Sequence, residues 1–577
     1  MQSKYETVES DVLVVGAGGA AARAAIAADD SGAKAIIVDK GEFGRSGCTA
    51  NSASEWMAYG AAFGHADSRD NPNMHFRDIV EKGAYVCNQD LTKIVAQEAP
   101  RRLLELESWG AKFDKTADGK FVQILSDGAT FPRAVGKGAE TGMEILRTLE
   151  AEVKRRGIEV YTKCLVFELL KYRGTVVGAV ALNLENHEFT VFRAGSAILA
   201  TGGAGQLFMH TVFPEGMTGD GYAMAYRAGA ELVNMEFMQI GPCVVHPTKF
   251  DVGGILWRLG PRLYNGNKEE YLRKYLPPRI SVERVYELKS VSFPFSIRNE
   301  SMYIDIANFT EIAEGRGTEM NCVYFDLTHV PAEEIESRAS VPLKWLMRFG
   351  LDIRSQSIQI APAIQHSNGG VAINEKGEST IRGLYAAGEA SGGVHGADRP
   401  GGNSLANCQV FGARAGKYAA EHAKASSPPR LPKETVDDII MRTGKLLDSK
   451  GIVEPSEVKT KIQEAMWYGV SVVRTESSIK KAISTLETLK REIPASLKVS
   501  RENLASVIEI QNMLDVGLVV ASAALNRRES RGTHYRSDFP KRDDKNWLKI
   551  ITISQKEGKL LIQFKKPRME IYPPADR

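Results

Sequence analysis

Cysteine is scarce in this chain, and what there is stands scattered. Six thiols (Cys48, Cys87, Cys164, Cys243, Cys322 and Cys408) are spread over 577 residues with no C-x-x-C pair. Zinc or an iron–sulfur cluster needs several thiolates at short spacing, so no metal or cluster held by this chain alone is expected. The six read as buried, reduced thiols. Excess charge is also missing. A net +3 from 74 basic and 71 acidic residues is too little to argue for nucleic acid. No apolar run approaches the roughly 18 residues of a membrane span, so no direct span is expected. The start, MQSKYETVESDVLVVGAG, enters a strand after mostly polar residues and has no signal-peptide core. Cytoplasm is the default expectation, with membrane association only through a partner. Internal repeats and low-complexity segments are absent too.

What remains is the composition of a globular protein, with 43% hydrophobic and 25% charged residues and 53 glycines, long enough for two to four packed units. DVLVVGAGGAAARAAIAADDSGAKAIIVDK reads as strand, glycine turn, close-packed helix and strand, a βαβ unit. GMEILRTLEAEVKRRG predicts a helix with Ile145, Leu146, Leu149 and Val153 on one face, stopped at Gly157. From Ile158 to Leu199 the runs are β-rich and suggest a meander. Residues 246–350 change character, with aromatic and basic loops that suit an inserted domain. GLYAAGEASGG then resumes the earlier style, SSPPRLPKE (426–434) marks a linker, and 435–526 is helical in periodicity. The last 30 residues are basic and strand-like.

The turn Gly16-Ala17-Gly18-Gly19-Ala20-Ala21 follows a strand and opens a helix. Gly16 permits the tight turn, Gly18 lets backbone N–H groups approach a pyrophosphate, and Ala21 keeps helix and strand close. Asp39 closes the second strand, where a carboxylate can accept from ribose hydroxyls. This predicts dinucleotide binding without choosing between NAD and FAD. Four remote motifs favour the larger cofactor: Ala200-Thr201-Gly202-Gly203 after a strand, Thr218-Gly219-Asp220-Gly221 opening a helix, Gly388-Glu389-Ala390 after a strand, and Asn403-Ser404-Leu405 before a helix.

In this order the motifs resemble the flavoprotein subunits of succinate dehydrogenase and fumarate reductase, and L-aspartate oxidase. The likeness runs through AILATGGAG, TGDGYAMAYRAGAELVNMEFMQ, GLYAAGEASGGVHGADRPGGNSL and RRESRGTHYRSDFPKRDDKNW. It implies an α/β fold: a Rossmann-like FAD-binding domain (1–245 and 351–428) interrupted by an α+β capping domain (246–350). A helical domain (435–545) and a tail (546–577) follow. FAD contacts would fall on Gly16, Gly18, Gly19, Ala20, Ala21, Asp39, Lys40, Arg45, Ser46, Gly47, Cys48, Thr49, Ala200, Thr201, Gly202, Asp220, Glu389, Asn403, Ser404 and Leu405. Family members that bind flavin covalently use a histidine in an arginine–serine–histidine–threonine run. Here the run is Arg45-Ser46-Gly47-Cys48-Thr49, and Gly47 offers no nucleophile, so non-covalent FAD is implied.

At the substrate end, Arg399 matches the arginine that takes a substrate carboxylate, a task suited to its planar fork. Arg258, with Arg262 as rival, falls near the place of the proton-shuttling arginine. The family's two substrate histidines are replaced by Gly241 and Gln365; His246 in His246-Pro247-Thr248 and His366 beside Gln365 are the substitutes within reach. Ile255-Leu256 stands where a threonine–glutamate pair is expected, and with Trp257 it suggests a substrate with one carboxylate or anionic group and a less polar remainder. Arg531 and His534 match a segment packed near the flavin domain, read as structural. The implied activity moves a hydride between flavin N5 and a carbon beside a carboxylate. Electrons would pass to a separate iron–sulfur subunit, since this chain carries no cluster motif. Alternatives are an L-aspartate-oxidase-like oxidase, an adenylylsulfate-reductase-like flavoprotein acting at sulfur, or a degenerate flavoprotein serving as scaffold or relay.

Overall fold

Val12 to Val15 have no polar face to offer water, and a strand buried on both sides belongs in the middle of a parallel sheet. In the computed structural model, which describes residues 5–51, 56–426 and 430–574, strand Glu6–Val15 lies between Ala35–Val38 and Phe189–Leu199, parallel to both (Val12 opposite Ala35 and Ser196). The sheet runs Glu159–Tyr161, Ala35–Val38, Glu6–Val15, Phe189–Leu199, Thr175–Asn183, Cys164–Tyr172. The last three form the expected antiparallel meander. Leu384–Ala386 joins beside the end of Phe189–Leu199, also parallel. Helix Thr141–Arg156 buries the predicted apolar face and stops at Gly157 in the left-handed region, φ +69°, as C-terminal glycines do.

The chain leaves this sheet through strand Met238–Val244 and returns through Ile358–Ser367, paired antiparallel (Ile240 opposite Ile364). These two legs are the middle of the cap's own sheet, ordered Phe250–Asp251, Met238–Val244, Ile358–Ser367, Val323–Asp326, Arg262–Tyr264. Helices Val282–Val291 and Met302–Ala313 are pinned together by a fully buried ion pair, Lys289 Nζ to Asp305 Oδ2 at 2.5 Å. Asn403–Ala425 returns to pack against Gly19–Asp30 under the nucleotide turn. The proline-rich junction expected over 426–434 lies partly outside the described residues, as do the last residues of the tail.

Helices Pro455–Val470, Glu476–Ser496 and Leu504–Asn526 form the predicted helical unit. The last is long and apolar enough to cross a bilayer by length and composition, which corrects the expectation of no such run, but most of its apolar window is buried in the protein. Its Asn512 side chain donates to Asp220 Oδ1 at 2.8 Å. That is the packing of a core helix. The tail forms a hairpin, Ile550–Lys556 with Lys559–Lys565, which extends a sheet containing Leu232–Val233 and Gly370–Ala372.

Candidate functional site

At Gly16 the first strand turns with φ +110°, and a Cβ there would lie 2.4 Å from the carbonyl oxygen of Ala200. Two strand ends therefore meet where only glycine fits. Helix Gly19–Asp30 starts at once, with Gly18 as its first capping residue and no side-chain cap. Thr49 Oγ1 accepts from the Gly19 N–H at 3.3 Å. The remaining N–H groups of an uncapped helix start suit an anion.

This turn opens into a cavity of about 1110 Å³, above the roughly 300–1,000 Å³ of a single small-ligand pocket. Seventeen of the expected cofactor residues line it: Gly16, Gly18, Gly19, Ala20, Asp39, Lys40, Ser46, Gly47, Cys48, Thr49, Ala200, Thr201, Gly202, Asp220, Glu389, Ser404 and Leu405. Three do not. Ala21 is buried behind the turn, which suits its packing role. Arg45 points to solvent, its side chain 82% exposed and 3.5 Å from Glu42. Asn403 faces away, its Oδ1 2.8 Å from His75 Nε2, because the first residue of its helix is turned toward the neighbouring helix Pro72–Lys82. A dinucleotide fits the remainder: an uncapped helix start, a glycine floor, and the buried Thr201 hydroxyl, which has no protein partner.

Lys40 and Asp220 have structural partners as well. Lys40 Nζ donates to Thr218 Oγ1 (2.8 Å), Asp220 Oδ2 (2.6 Å) and Glu509 Oε1 (2.5 Å). Burial opposes its charge, but the two carboxylates outweigh burial and hold its pKa above the usual range. Asp39 Oδ2 accepts from Gly41 N (2.9 Å) and Ser46 Oγ (2.8 Å), shaping the loop that carries Gly47. A Cβ on Gly47 would meet nothing within 4 Å. Burial, then Glu389 and Cys408, push the Cys48 thiol well above its ordinary range, so it is neutral and a poor nucleophile.

The cavity continues beneath the cap to Arg399. Its Nε donates to Gln239 Oε1 at 3.1 Å and its Nη1 to Pro400 O at 3.2 Å. Gln239 in turn donates to Asp398 Oδ1 and Arg399 O, both at 2.8 Å. The guanidinium is thus aimed by its neighbours. His366 lies beside it, with Nδ1 3.3 Å from Glu389 Oε1 and Nε2 buried without a protein partner. Burial, with Arg399 and His395 close by, pushes the His366 pKa well below normal, so the ring is neutral. Burial also raises the Glu389 carboxyl to about 7.

The remaining substrate-end expectations divide. His246 is exposed and lies outside the cavity lining; the stretch between the two cap strands carries it to the surface. Arg258 lines the cavity but stands exposed at its rim, with Nε 3.3 Å from Ser290 Oγ. Trp257 and Leu256 are buried in the cap core and Ile255 packs against it, so none of the three lines the site. The Trp257 indole donates to Val252 O at 2.9 Å and meets Phe325 edge-on at 5.1 Å. The apolar lining on the cap side comes instead from Val291, Phe293 and Pro294.

Among the lining residues given no role from sequence are Asp251 and its neighbour Gln365. Asp251 is held by Cys243 Sγ, which donates to its Oδ1 at 3.3 Å, and by Gln365 Nε2, which donates to its Oδ2 at 3.4 Å. Burial raises its carboxyl to about 6, against the lowering pull of those bonds and of Arg399. Gln365 Oε1 is buried without a partner. The only sequence cue was an acid before Gly253-Gly254, and strand register (Cys243 opposite Asp251) is what brings it inward. Arg531 and His534 are fully buried away from the cavity: Arg531 Nη1 donates to Ala84 O at 2.8 Å, and His534 Nδ1 bonds Arg474.

A nucleotide-type cavity that starts at a βαβ turn and runs on under an inserted cap defines a capped flavin oxidoreductase. Residues 11–405 match the family model described as an FAD binding domain, and 459–577 match the fumarate reductase flavoprotein C-terminal model. The chain is 38% identical to one of the subunits of the fumarate reductase (CoM/CoB) of Methanothermobacter marburgensis, over 96% of this chain and 98% of that one. It is 31% identical to the succinate dehydrogenase flavoprotein subunit of Rickettsia bellii, covering 98% of each. The solved structure of a single-site variant of the E. coli quinol fumarate reductase FrdA superposes with a TM-score of 0.87 at 27% identity, covering 99% of each chain. The chain belongs to the succinate dehydrogenase and fumarate reductase flavoprotein subunit family, FAD-dependent oxidoreductases acting on CH–CH bonds.

Proposed function

We propose that the chain is the catalytic subunit of a fumarate-reductase-type enzyme, with FAD held non-covalently and a short dicarboxylate as substrate. The observation that carries this reading is Arg399, fixed by Gln239 and Pro400 at the covered end of the cofactor cavity. Bound FAD would supply hydride exchange at its N5. The nucleotide would rest on Gly16 to Ala20 and the Ser46–Thr49 loop, with Thr201 and Ser404 as further polar contacts. Arg399 would take one substrate carboxylate in a bidentate grip and stabilise charge that develops on it. Arg258 at the rim would take a second carboxylate. Trp257 and Leu256 lie in the cap core and would not meet the substrate; the apolar residues lining the cavity from the cap are Val291, Phe293 and Pro294. His366, neutral and edge-on to His395 at 5.7 Å, can hydrogen-bond the substrate through Nε2. The cap shuts water out of the reacting region.

Electrons would be exchanged with a separate iron–sulfur protein. Six scattered cysteines supply no cluster ligands, and a relative whose name makes it one subunit of a larger fumarate reductase belongs to an assembly. A cytoplasmic site of action, with membrane contact only through that partner, fits the same reading. Anaerobic photoreduction followed by a panel of unsaturated acids tests it: fumarate should restore the yellow flavin absorbance, and Arg399→Met should slow that step by about 10²–10³-fold. Acid precipitation should release all the flavin, as Gly47 and the neutral Cys48 require. A reduced flavin that no acid in the panel reoxidises sinks the proposal.

A further inference from the structure

We propose that helix Leu504–Asn526 of the helical unit is a wall of the cofactor site, and that Glu509 on it, paired with Lys40, closes the adenosine end of FAD. This rests on the reading that FAD is held non-covalently in the cavity. It does not depend on which acid is reduced.

The cavity extends to either side of the glycine turn. One arm runs under the cap to Arg399, where flavin and substrate would meet. The uncapped helix start at the turn suits the pyrophosphate, so the other arm is left for the adenosine. That arm is lined by Asp39 and Lys40, by Cys164 and Leu184 from the meander, and by Ala505 and Glu509. The last two belong to helix Leu504–Asn526. The FAD-binding part of the chain therefore does not enclose this arm by itself.

Helical spacing shows how that helix reaches the site. Glu509, Asn512 and Val516 are three and then four residues apart, so they share one face. Glu509 Oε1 accepts from Lys40 Nζ at 2.5 Å, and Asn512 donates to Asp220 Oδ1 at 2.8 Å. A Cβ on Gly219 would stand 3.3 Å from Val516 Cγ2. Each partner is on the cofactor side: Lys40 and Asp220 line the cavity, and Gly219 caps the helix Asp220–Ala228. Farther along that helix, Arg227 Nη1 donates to Asn512 Oδ1 and Asp515 Oδ2, both at 2.9 Å. The two helices are thus held in register over two turns, which fixes where Glu509 stands.

The Asn512 and Asp515 bonds already tie the helical unit to the FAD domain, and Lys40 already has Asp220 and Thr218 as partners. What Glu509 adds is a carboxylate facing the cavity. The donors at the adenosine end of FAD are the ribose hydroxyls and the adenine amino group, and an ionised carboxylate is an acceptor for either. Lys40 and Glu509 side chains are 19% and 24% accessible. A pair so covered is screened less than a surface pair, so it can hold the arm shut around a bound nucleotide. Without Glu509, the adenosine would lose an acceptor and the arm its closing pair.

The experiment uses the full chain in two states. FAD-loaded protein is diluted, and flavin release is followed by the fluorescence of free FAD. Glu509→Gln should release it about tenfold faster than wild type. Glu476→Gln, which breaks the exposed pair with Lys480 elsewhere on the helical unit, should release it at the wild-type rate. Flavin-free protein is then titrated with ADP, which carries the adenosine and pyrophosphate but no flavin. Glu509→Gln should bind ADP about tenfold more weakly, and Glu509→Asp, which keeps the charge on a shorter arm, should recover part of the loss. If Glu509→Gln does not fold, Glu509→Asp decides: weaker ADP binding than wild type supports the proposal, and equal binding overturns it. A Glu509→Gln protein that binds ADP within about threefold of wild type overturns it too, as does flavin-free wild-type protein that binds no ADP. Loaded wild type that fails to reduce fumarate sinks the functional reading and leaves this assignment standing.

Discussion

At Gly16 the chain satisfies two conditions that no other residue can meet together: φ of +110° and a carbonyl oxygen, that of Ala200, 2.4 Å from where a Cβ would stand. Gly16→Ala should cost about 1–3 kcal/mol in backbone strain alone and push the first strand away from Phe189–Leu199. Purified Gly16→Ala protein should be colourless; a normal ratio of flavin to protein absorbance would refute this. Residues of this kind were legible from sequence because backbone geometry dictates them, and Glu389, Ser404 and Leu405 were legible because they sit beside such glycines. Arg399 was found for the same reason, lying four residues before Asn403. His246, Arg258 and Asp251 lie in the cap, where the direction of a side chain depends on strand pairing that composition does not reveal. Asp251 and His246 are five residues apart, yet one points into the cavity and the other into solvent.

Between elements, the closest approach under the cofactor is helix against helix. A Cβ on Gly416 would stand 2.1 Å from Ala24 O, and one on Gly412 would stand 2.8 Å from Ala20 O. Helix Asn403–Ala425 thus presses its backbone onto Gly19–Asp30, whose first turn is the phosphate site. Small residues in GAAARAAIAA announced a closely packed helix and ANCQVFGARAG read as another helix, but not that the two would pack on each other from opposite ends of the flavin domain. Gly416→Ala adds one methyl group where there is no room, an overpacking cost of about 1–3 kcal/mol. Because the displaced helix carries the turn, flavin affinity should fall along with stability. Thermal melts followed at once by circular dichroism and by flavin fluorescence should show both losses, and an unchanged melt would exclude this packing. Helix Leu504–Asn526 shows the opposite failure of legibility. Its composition alone cannot separate a bilayer from a protein interior, and only its packing and the Asn512–Asp220 bond do so.

Across the molecule, the parts are tied by charge as well as by apolar packing. Four buried guanidiniums (Arg474, Arg527, Arg531 and Arg536) meet four carboxylates (Glu236, Glu529, Asp538 and Asp544) where the helical unit, the base of the cap legs and the C-terminal hairpin converge. Arg474 reaches this set through Glu236 O at 2.7 Å. His534 among them is kept neutral by burial and the surrounding arginines, so the charges balance. Glu529 is the keystone: its Oε1 accepts from Arg527 Nη1 (2.8 Å) and Arg531 Nε (2.6 Å), and its Oε2 from Arg531 Nη2 (3.0 Å) and Asp543 N (2.9 Å). Glu529→Gln keeps the shape but leaves two arginines short of one negative charge, without water to screen them. Breaking a buried pair this way costs about 3–5 kcal/mol. The exposed pair Lys480–Glu476 is the control, with side chains 61% and 47% accessible; there Glu476→Gln should leave the melting temperature where it was. Glu529→Gln should melt several degrees lower and let a protease cut between the helical unit and the hairpin before the flavin leaves. Equal melting temperatures for the two variants would mean that the three regions are held by apolar packing alone.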